Sequence, residues 1–330
     1  MVSSPAGSRT RFVARDTPGA PAGHFPTAVQ VIGHAGLAIH NAEGSPARRH
    51  LDEAMSLGVD RIELDVCCTA DGRLVMRHDV SLADGRSVAD LTLSELRVAD
   101  SGVLTIDDAV EHLGGRLPML LDIKTAAATE ALGIWLRRRR DLEGFALCTE
   151  NLPWLLRLRF AAPRVERWPS FPDIGDRRTH HVQRVVVGLW RSHASIDGLR
   201  RGAADIHRAA LQLSQRPHES LAYLAGLPWR GRLLLDIARM RDDVAAAGMC
   251  VHHWVVSERL VEEAHSVGLH VNAWTVNNPF AARLVAAAGV DSITTDRVDL
   301  VRVALRSSDG PDPRLGAGRP VRAVARISPR

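Results

Sequence analysis

A chain of 330 residues with 45% apolar side chains can bury a sizeable core and has room for a barrel of eight strand–helix units. The formal charge of +4 suits an anionic partner, but no nucleic-acid module is recognisable and no run of 18 apolar residues offers a membrane span. Arg9, Arg11 and Arg15 precede no apolar stretch, which argues against a secretory signal and for a cytoplasmic protein. The four cysteines have no metal-ligand spacing and no disulfide framework, and are expected to be reduced and mostly buried.

Residues 1–27 are rich in Pro, Gly, Ala and Ser and read as a disordered arm, and residues 307–330 as a disordered basic tail. Residues 28–306 then form one domain. Val29 to Gly33 is a short apolar strand. A helix follows, with Ser45 as N-cap, Pro46 at its first position and Gly58 ending it. Arg61 to Val66 is the next strand, and an Asp71-Gly72 turn leads into Leu74 to Arg77. Thr105 caps a helix to about Leu113, and Pro118 to Ile123 is a buried strand. The Arg137–Arg140 cluster reads as a solvated helix end, with a membrane or phosphate patch as the alternative. Phe145 to Cys148 and Arg164 to Arg167 are weaker strands.

The stretch from about Ser170 to Ala247 looks mostly helical and longer than one unit needs. The sixth strand falls at Ala210 to Leu213 or at Cys250 to Val255, the second being preferred. A helix near Glu258 to Val267, the strand His270 to Thr275, a helix near Pro279 to Ala288, the strand Asp291 to Thr294 and a helix near Asp299 to Leu305 complete the chain. Seven or eight strand–helix units predict a (β/α)8 barrel with an irregular helical insertion in its second half.

In such a barrel, chemistry gathers where the strands end. His34, Glu63, Asp65, His78, Asp79, Asp122, Lys124, Trp274 and Asp296 all fall at or just past predicted strand ends. Glu63 and Asp65 are two apart, so they share a strand face, as do Asp122 and Lys124. Carboxylates crowded on one face need a cation or protons. Together with Asp122 they make a hard-oxygen set suited to one Mg2+ or Ca2+, although Glu63 and Asp65 could instead pair with arginines at the sheet rim.

His34 and His78 could be structural, or could take and give protons in acid–base catalysis. Trp274 reads either as rim core or as an aromatic pocket wall. Of 42 basic residues only Lys124 is lysine, a compact charge in a chain that otherwise uses the planar guanidinium.

The ordered series Gly33-His34-Ala35-Gly36, Glu63-Leu64-Asp65, Thr69-Ala70-Asp71-Gly72, Arg77-His78-Asp79, Leu121-Asp122-Ile123-Lys124, Asn272-Ala273-Trp274 and Ile293-Thr294-Thr295-Asp296 resembles the glycerophosphodiester phosphodiesterase family. The resemblance spans roughly residues 29–125 and 249–305. It implies His34 and His78 as the catalytic pair, Glu63, Asp65 and Asp122 as metal ligands, and Lys124 as a phosphate contact.

The chain departs from the family pattern in three places. Ala35 stands where the family has a phosphate-binding arginine, Glu43-Gly44-Ser45 replaces Glu-Asn-Thr, and Asp122 replaces Glu. These departures leave the reaction class in place and the substrate open. The expected activity is hydrolysis of glycerophosphodiesters to glycerol 3-phosphate and an alcohol. The alternatives are a lipid phosphodiesterase of the sphingomyelinase D kind that leaves a cyclic phosphate, as the Asp122 to Thr125 strand suggests, and a non-catalytic phosphate-binding barrel. A small phosphodiester or lysolipid is the expected ligand, with peripheral membrane contact as a further possibility.

Overall fold

The computed structural model describes residues 28–38, 44–171, 237 and 241–306. Within them the chain alternates strand and helix as β1 (Gln30–Gly33), α1 (Arg48–Ser56), β2 (Arg61–Cys68), β3 (Leu74–Met76), α2 (Leu93–Ala99), α3 (Ile106–Leu113), β4 (Met119–Ile123), α4 (Ala126–Arg138), β5 (Phe145–Thr149), α5 (Leu152–Ala161) and β6 (Glu166–Pro169). The second half continues with β7 (Gly248–His252), α6 (Glu258–Ser266), β8 (His270–Trp274), α7 (Pro279–Ala287), β9 (Ser292–Thr295) and α8 (Val298–Arg306).

Eight strands run parallel in the order β6-β5-β4-β2-β1-β9-β8-β7, while β3 folds back antiparallel on β2. The two ends of this sheet meet. Ala247 N–H donates to Arg167 O at 3.0 Å, Phe171 N–H donates to Cys250 O at 3.0 Å, and Ser170 bridges Cys250. The result is a (β/α)8 barrel, nearly closed by these bonds along the β6–β7 seam. No helix among the described residues is long and apolar enough to cross a membrane.

Alternation along each strand divides the core in two. Ile62, Leu64, Val66, Leu121 and Ile123 point outward into a continuous core beneath the helices. The alternate positions Ile32, Leu120, Ala146, Cys148, Trp168 and Cys250 pack together inside the cylinder. Trp168 fills the lower barrel between the Arg61 guanidinium, 4.9 Å from its ring, and His270, stacked at 4.5 Å. Gly248 makes room for it. A Cβ there would lie 2.9 Å from His270 O and 3.0 Å from the indole, so only glycine fits.

Most element boundaries agree with the sequence reading, and Thr105 caps α3 through a reciprocal box with Asp108. The first helix is different. It starts at Arg48 with Ala47 as N-cap, and Ala47 N–H donates to His50 Nδ1. Ser45 is buried and accepts from the Arg77 guanidinium at 3.0 Å, so its hydroxyl is used across the fold.

The sixth parallel strand is β7, two residues earlier than Cys250 to Val255, because Val255 N–H turns back onto His252 O. The alternative at Ala210 to Leu213 and most of the expected helical insertion lie outside the described residues, as do both tails. All four cysteines are free and buried.

His270 makes acid stability testable. Burial, with help from the Arg61 charge, pushes its pKa down to about 3 from an ordinary 6.5. The unfolded chain therefore takes up a proton below pH 6.5 that the native ring refuses, and stability is lost as pH falls through that window. His270→Gln, which keeps a donor for Ser292 Oγ, is expected to lose about 2 kcal/mol less than the wild type between pH 7 and pH 5. Urea denaturation of both proteins at the two pH values measures this, and equal losses would contradict it.

Candidate active site

The inward positions of β1, β2, β4, β8 and β9 climb to the carboxyl end of the barrel, where they become polar. There His34, Glu63, His78, Asp122, Lys124 and Trp274 line one cavity of about 690 Å³. Asp65 lies buried beside it. All seven site residues expected from the sequence thus meet at one place.

The carboxylates are close together. One ligand oxygen from each of Glu63, Asp65 and Asp122 lies within 4.8 Å of the others. Parallel pairing sets this geometry, since Asp65 faces Asp122 in the β2–β4 register. Lys124 Nζ sits 2.7 Å from Asp65 Oδ1 and 2.6 Å from Asp122 Oδ2. That single ammonium partners two carboxylates and leaves the third.

Glu63 Oε2 accepts from Ala35 N–H at 2.6 Å, whereas Oε1 is buried with no hydrogen-bond partner among the described residues. Burial and the neighbouring Asp65 charge push the Glu63 pKa up to about 8. For Asp65, burial acts in the same upward direction, but the charges of Lys124, His78 and His34 and the Lys124 hydrogen bond together outweigh it and hold the carboxyl below its usual value. A buried, orphaned oxygen beside two more carboxylates is the donor set a hard divalent cation takes. The residues fit such an ion.

The turn after β1 aims the Ala35 amide. Ala35, Gly36 and Leu37 all have left-handed backbones, at φ +46°, +62° and +62°. This conformation costs a residue with a side chain roughly 1–2 kcal/mol. Gly36 is required for a second reason, since a Cβ there would lie 2.7 Å from Pro46 Cβ.

His34 Nδ1–H donates to Asp296 Oδ1 at 2.8 Å, which leaves Nε2 on the cavity side, 4.0 Å from Glu63 Oε2. Asp296 is itself held by Asn277, whose amide donates to Oδ2 at 2.6 Å and whose oxygen accepts Asp296 N–H at 2.9 Å. Burial opposes a charge on His34. The Asp296 hydrogen bond and the Glu63, Asp296 and Asp65 charges outweigh it and push the pKa up to about 9.

His78 follows β3 and is more open, 41% exposed, with Nδ1–H donating to Asp79 Oδ1 at 2.9 Å. The two imidazoles meet edge to face with centroids 5.9 Å apart. Below His78, buried Arg77 donates to Asp100 Oδ2 at 2.9 Å and to Ser45 Oγ, tying the hairpin to the loop before α1.

Several of these groups had no role from sequence alone. Asp296 stood at a strand end, but its partner is 262 positions away. Thr149, Glu150, Asn151 and Trp154, which also line the cavity, lie at the end of β5 and in the turn and helix just after it. The rule that chemistry gathers past strand ends could have found them.

The model of the Glycerophosphoryl diester phosphodiesterase family matches residues 49–135 and 218–300, just over half of the chain. The chain belongs to this family. It is accordingly a phosphoric diester hydrolase. A protein of Mycobacterium tuberculosis named Probable glycerophosphodiester phosphodiesterase 2 is 28% identical over 77% of this chain and 82% of its own. A glycerophosphodiester phosphodiesterase of Caldanaerobacter subterraneus is 25% identical over 81% of this chain and 93% of its own.

Among solved structures, an Oleispira antarctica phosphodiesterase in complex with the product sn-glycerol-3-phosphate superposes with a TM-score of 0.58. It is 18% identical and covers 84% of this chain and 97% of that one, a likeness of fold. The family match starts after His34, so it is the fold that brings this residue to the others in the phosphodiesterase cavity.

In the metal-free phosphodiesterase, Asp296→Asn keeps a polar neighbour for His34 but removes the charge. The His34 pKa is expected to fall by at least about one unit. An NMR titration of the imidazole in the presence of chelator reads this directly, and an unmoved midpoint would show that Asp296 does not set it.

Proposed function

We propose that the protein is a divalent-cation-dependent glycerophosphodiester phosphodiesterase that yields glycerol 3-phosphate and an alcohol, with His34 and His78 moving the protons. The observation that carries this reading is the convergence, in one cavity, of two imidazoles 5.9 Å apart with three carboxylates and one ammonium. The names of the two relatives and the glycerol phosphate bound by the Oleispira antarctica enzyme support the substrate class.

Glu63, Asp65 and Asp122 would hold the cation, Mg2+ or Ca2+, which when bound supplies positive charge against the phosphoryl oxygens. Lys124 brings a second positive contact to the phosphate. Ala35 offers no guanidinium, so on the β1 side the phosphate meets the His34 imidazole.

Water attacks phosphorus and gives its proton to His78 Nε2, while Asp79 holds Nδ1–H. The P–O bond to the alcohol breaks as His34 Nε2–H protonates the departing oxygen, and Asp296 keeps the resulting ring in place through Nδ1. The Asp296 hydrogen bond and charge, which a cation on Glu63, Asp65 and Asp122 would leave in place, favour the acid form of His34. Trp274 and Trp154 line the cavity and would offer aromatic faces to the rest of the diester. Four free cysteines support a reducing, cytoplasmic setting.

Chelator is expected to abolish turnover of glycerophosphocholine and Mg2+ or Ca2+ to restore it. His78→Ala should lower kcat by about a hundredfold or more. Turnover that survives both treatments sinks the mechanism. Phosphorus NMR of the products separates hydrolysis, which gives glycerol 3-phosphate, from internal attack by a substrate hydroxyl, which gives a cyclic phosphate.

The raised Glu63 pKa adds a pH dependence. A cation must displace the proton that Glu63 holds below about pH 8, so Mg2+ affinity should rise from pH 6 to pH 8. Calorimetry would show this as proton release, and affinity independent of pH would refute it.

A further inference from the structure

Helix α5 is apolar on both sides. Leu155 and Leu158 are buried against the barrel, as expected of an outer helix. Yet Leu152 and Leu156 are each 40% exposed and Phe160 is 79% exposed. Spaced four apart, these three line up as one ridge over two turns. The helix has no acidic residue, and its only charges are Arg157 and Arg159. Arg159 is tied to the carbonyls of Asp242 and Asp243, while Arg157 is 63% exposed, 3.8 Å from Glu130.

Helix α4 extends the same face. It packs tightly on α5, since a Cβ on Gly133 would lie 3.3 Å from Ala161 Cβ. Its Ile134 is 43% exposed, and Arg137, Arg138 and Arg140 are exposed at its end. Residues 126–164 hold seven arginines against four carboxylates, which is +3 of the chain's formal +4.

We propose that this α4–α5 face is a docking surface for an anionic phospholipid bilayer. An exposed ridge of leucine and phenylalanine beside excess arginine matches a surface with hydrocarbon below and phosphate above. The ridge enters the acyl boundary while the arginines stay at head-group level. Charge selects this occupant over a second copy of the chain, whose identical face would set arginine against arginine.

The orientation has a consequence for access. The first turn of α5 reaches the cavity, where Asn151 and Trp154 line the wall. A barrel resting on this face holds the cavity rim beside the head groups. The inference concerns binding alone and does not depend on the reaction proposed above.

The test is cosedimentation of the full chain with vesicles of phosphatidylcholine, with and without an equimolar share of phosphatidylglycerol. Binding is expected only to the anionic vesicles and should weaken as salt rises. Leu156→Ser with Phe160→Ser should lower binding about tenfold or more at an unchanged thermal midpoint. Arg137→Glu with Arg138→Glu should remove the preference for anionic lipid. Failure of the wild type to sediment would overturn the proposal, as would undiminished binding by the Ser variant. So would light scattering that shows a dimer which the Ser variant dissociates, since the ridge would then be covered by a second copy.

Discussion

The site is governed by an imbalance of charge in a space that water screens poorly. Three carboxylates are forced within 4.8 Å by strand register, and one ammonium lies among them. The protein answers with what it has. Lys124 takes Asp65 and Asp122, an amide from a left-handed turn takes one oxygen of Glu63, and the other oxygen has no hydrogen-bond partner among the described residues. Uncompensated charge of this kind appears as a carboxyl that holds its proton and an imidazole that will not release one. A cation would relieve both at once.

The barrel makes this crowding possible. A parallel strand presents every second side chain to the interior, and closure turns eight such rows toward one axis. Low in the cylinder the rows are filled by Trp168, Leu120 and Cys250, which exclude water. Further along, the β4 row becomes Asp122 and Lys124, beside Glu63 on β2 and His34 just past β1. The packed floor is therefore what holds the polar mouth rigid. The β2–β3 hairpin adds His78 from the side, anchored by the buried Arg77–Asp100 pair rather than by the barrel itself. A buried pair of this sort fixes position more than it adds stability.

Local signals were legible where the responsible interaction is local. The Thr105 box with Asp108, the Asp71-Gly72 turn and the alternation through Glu63 and Asp65 involve residues a few positions apart, and their elements were readable. Helices α2 and α5 had no counterpart in the sequence reading and α4 only its Arg137–Arg140 end, although Thr92 and Thr125 cap α2 and α4. Ser45 misled because a hydroxyl before an apolar run looks like a cap whether or not a distant arginine claims it. Asp296 illustrates the general limit. Its place at a strand end was visible, but the bond that gives it meaning spans nearly the whole chain. The seven expected site residues came together because each sits at a strand end on an inward row, and topology does the rest.

Lys124 being the sole lysine gives the protein an unusual chemical address. Acylating and reductively methylating reagents normally scatter over many side-chain amines. Here they have one such target, and it lies in the cavity between two carboxylates, 25% exposed. The ammonium is held protonated by those carboxylates, so its nucleophilicity tracks whatever else neutralises them. The rate of modification of this side-chain amine is thus a local voltmeter for the site, set among arginines that are silent to the same reagent.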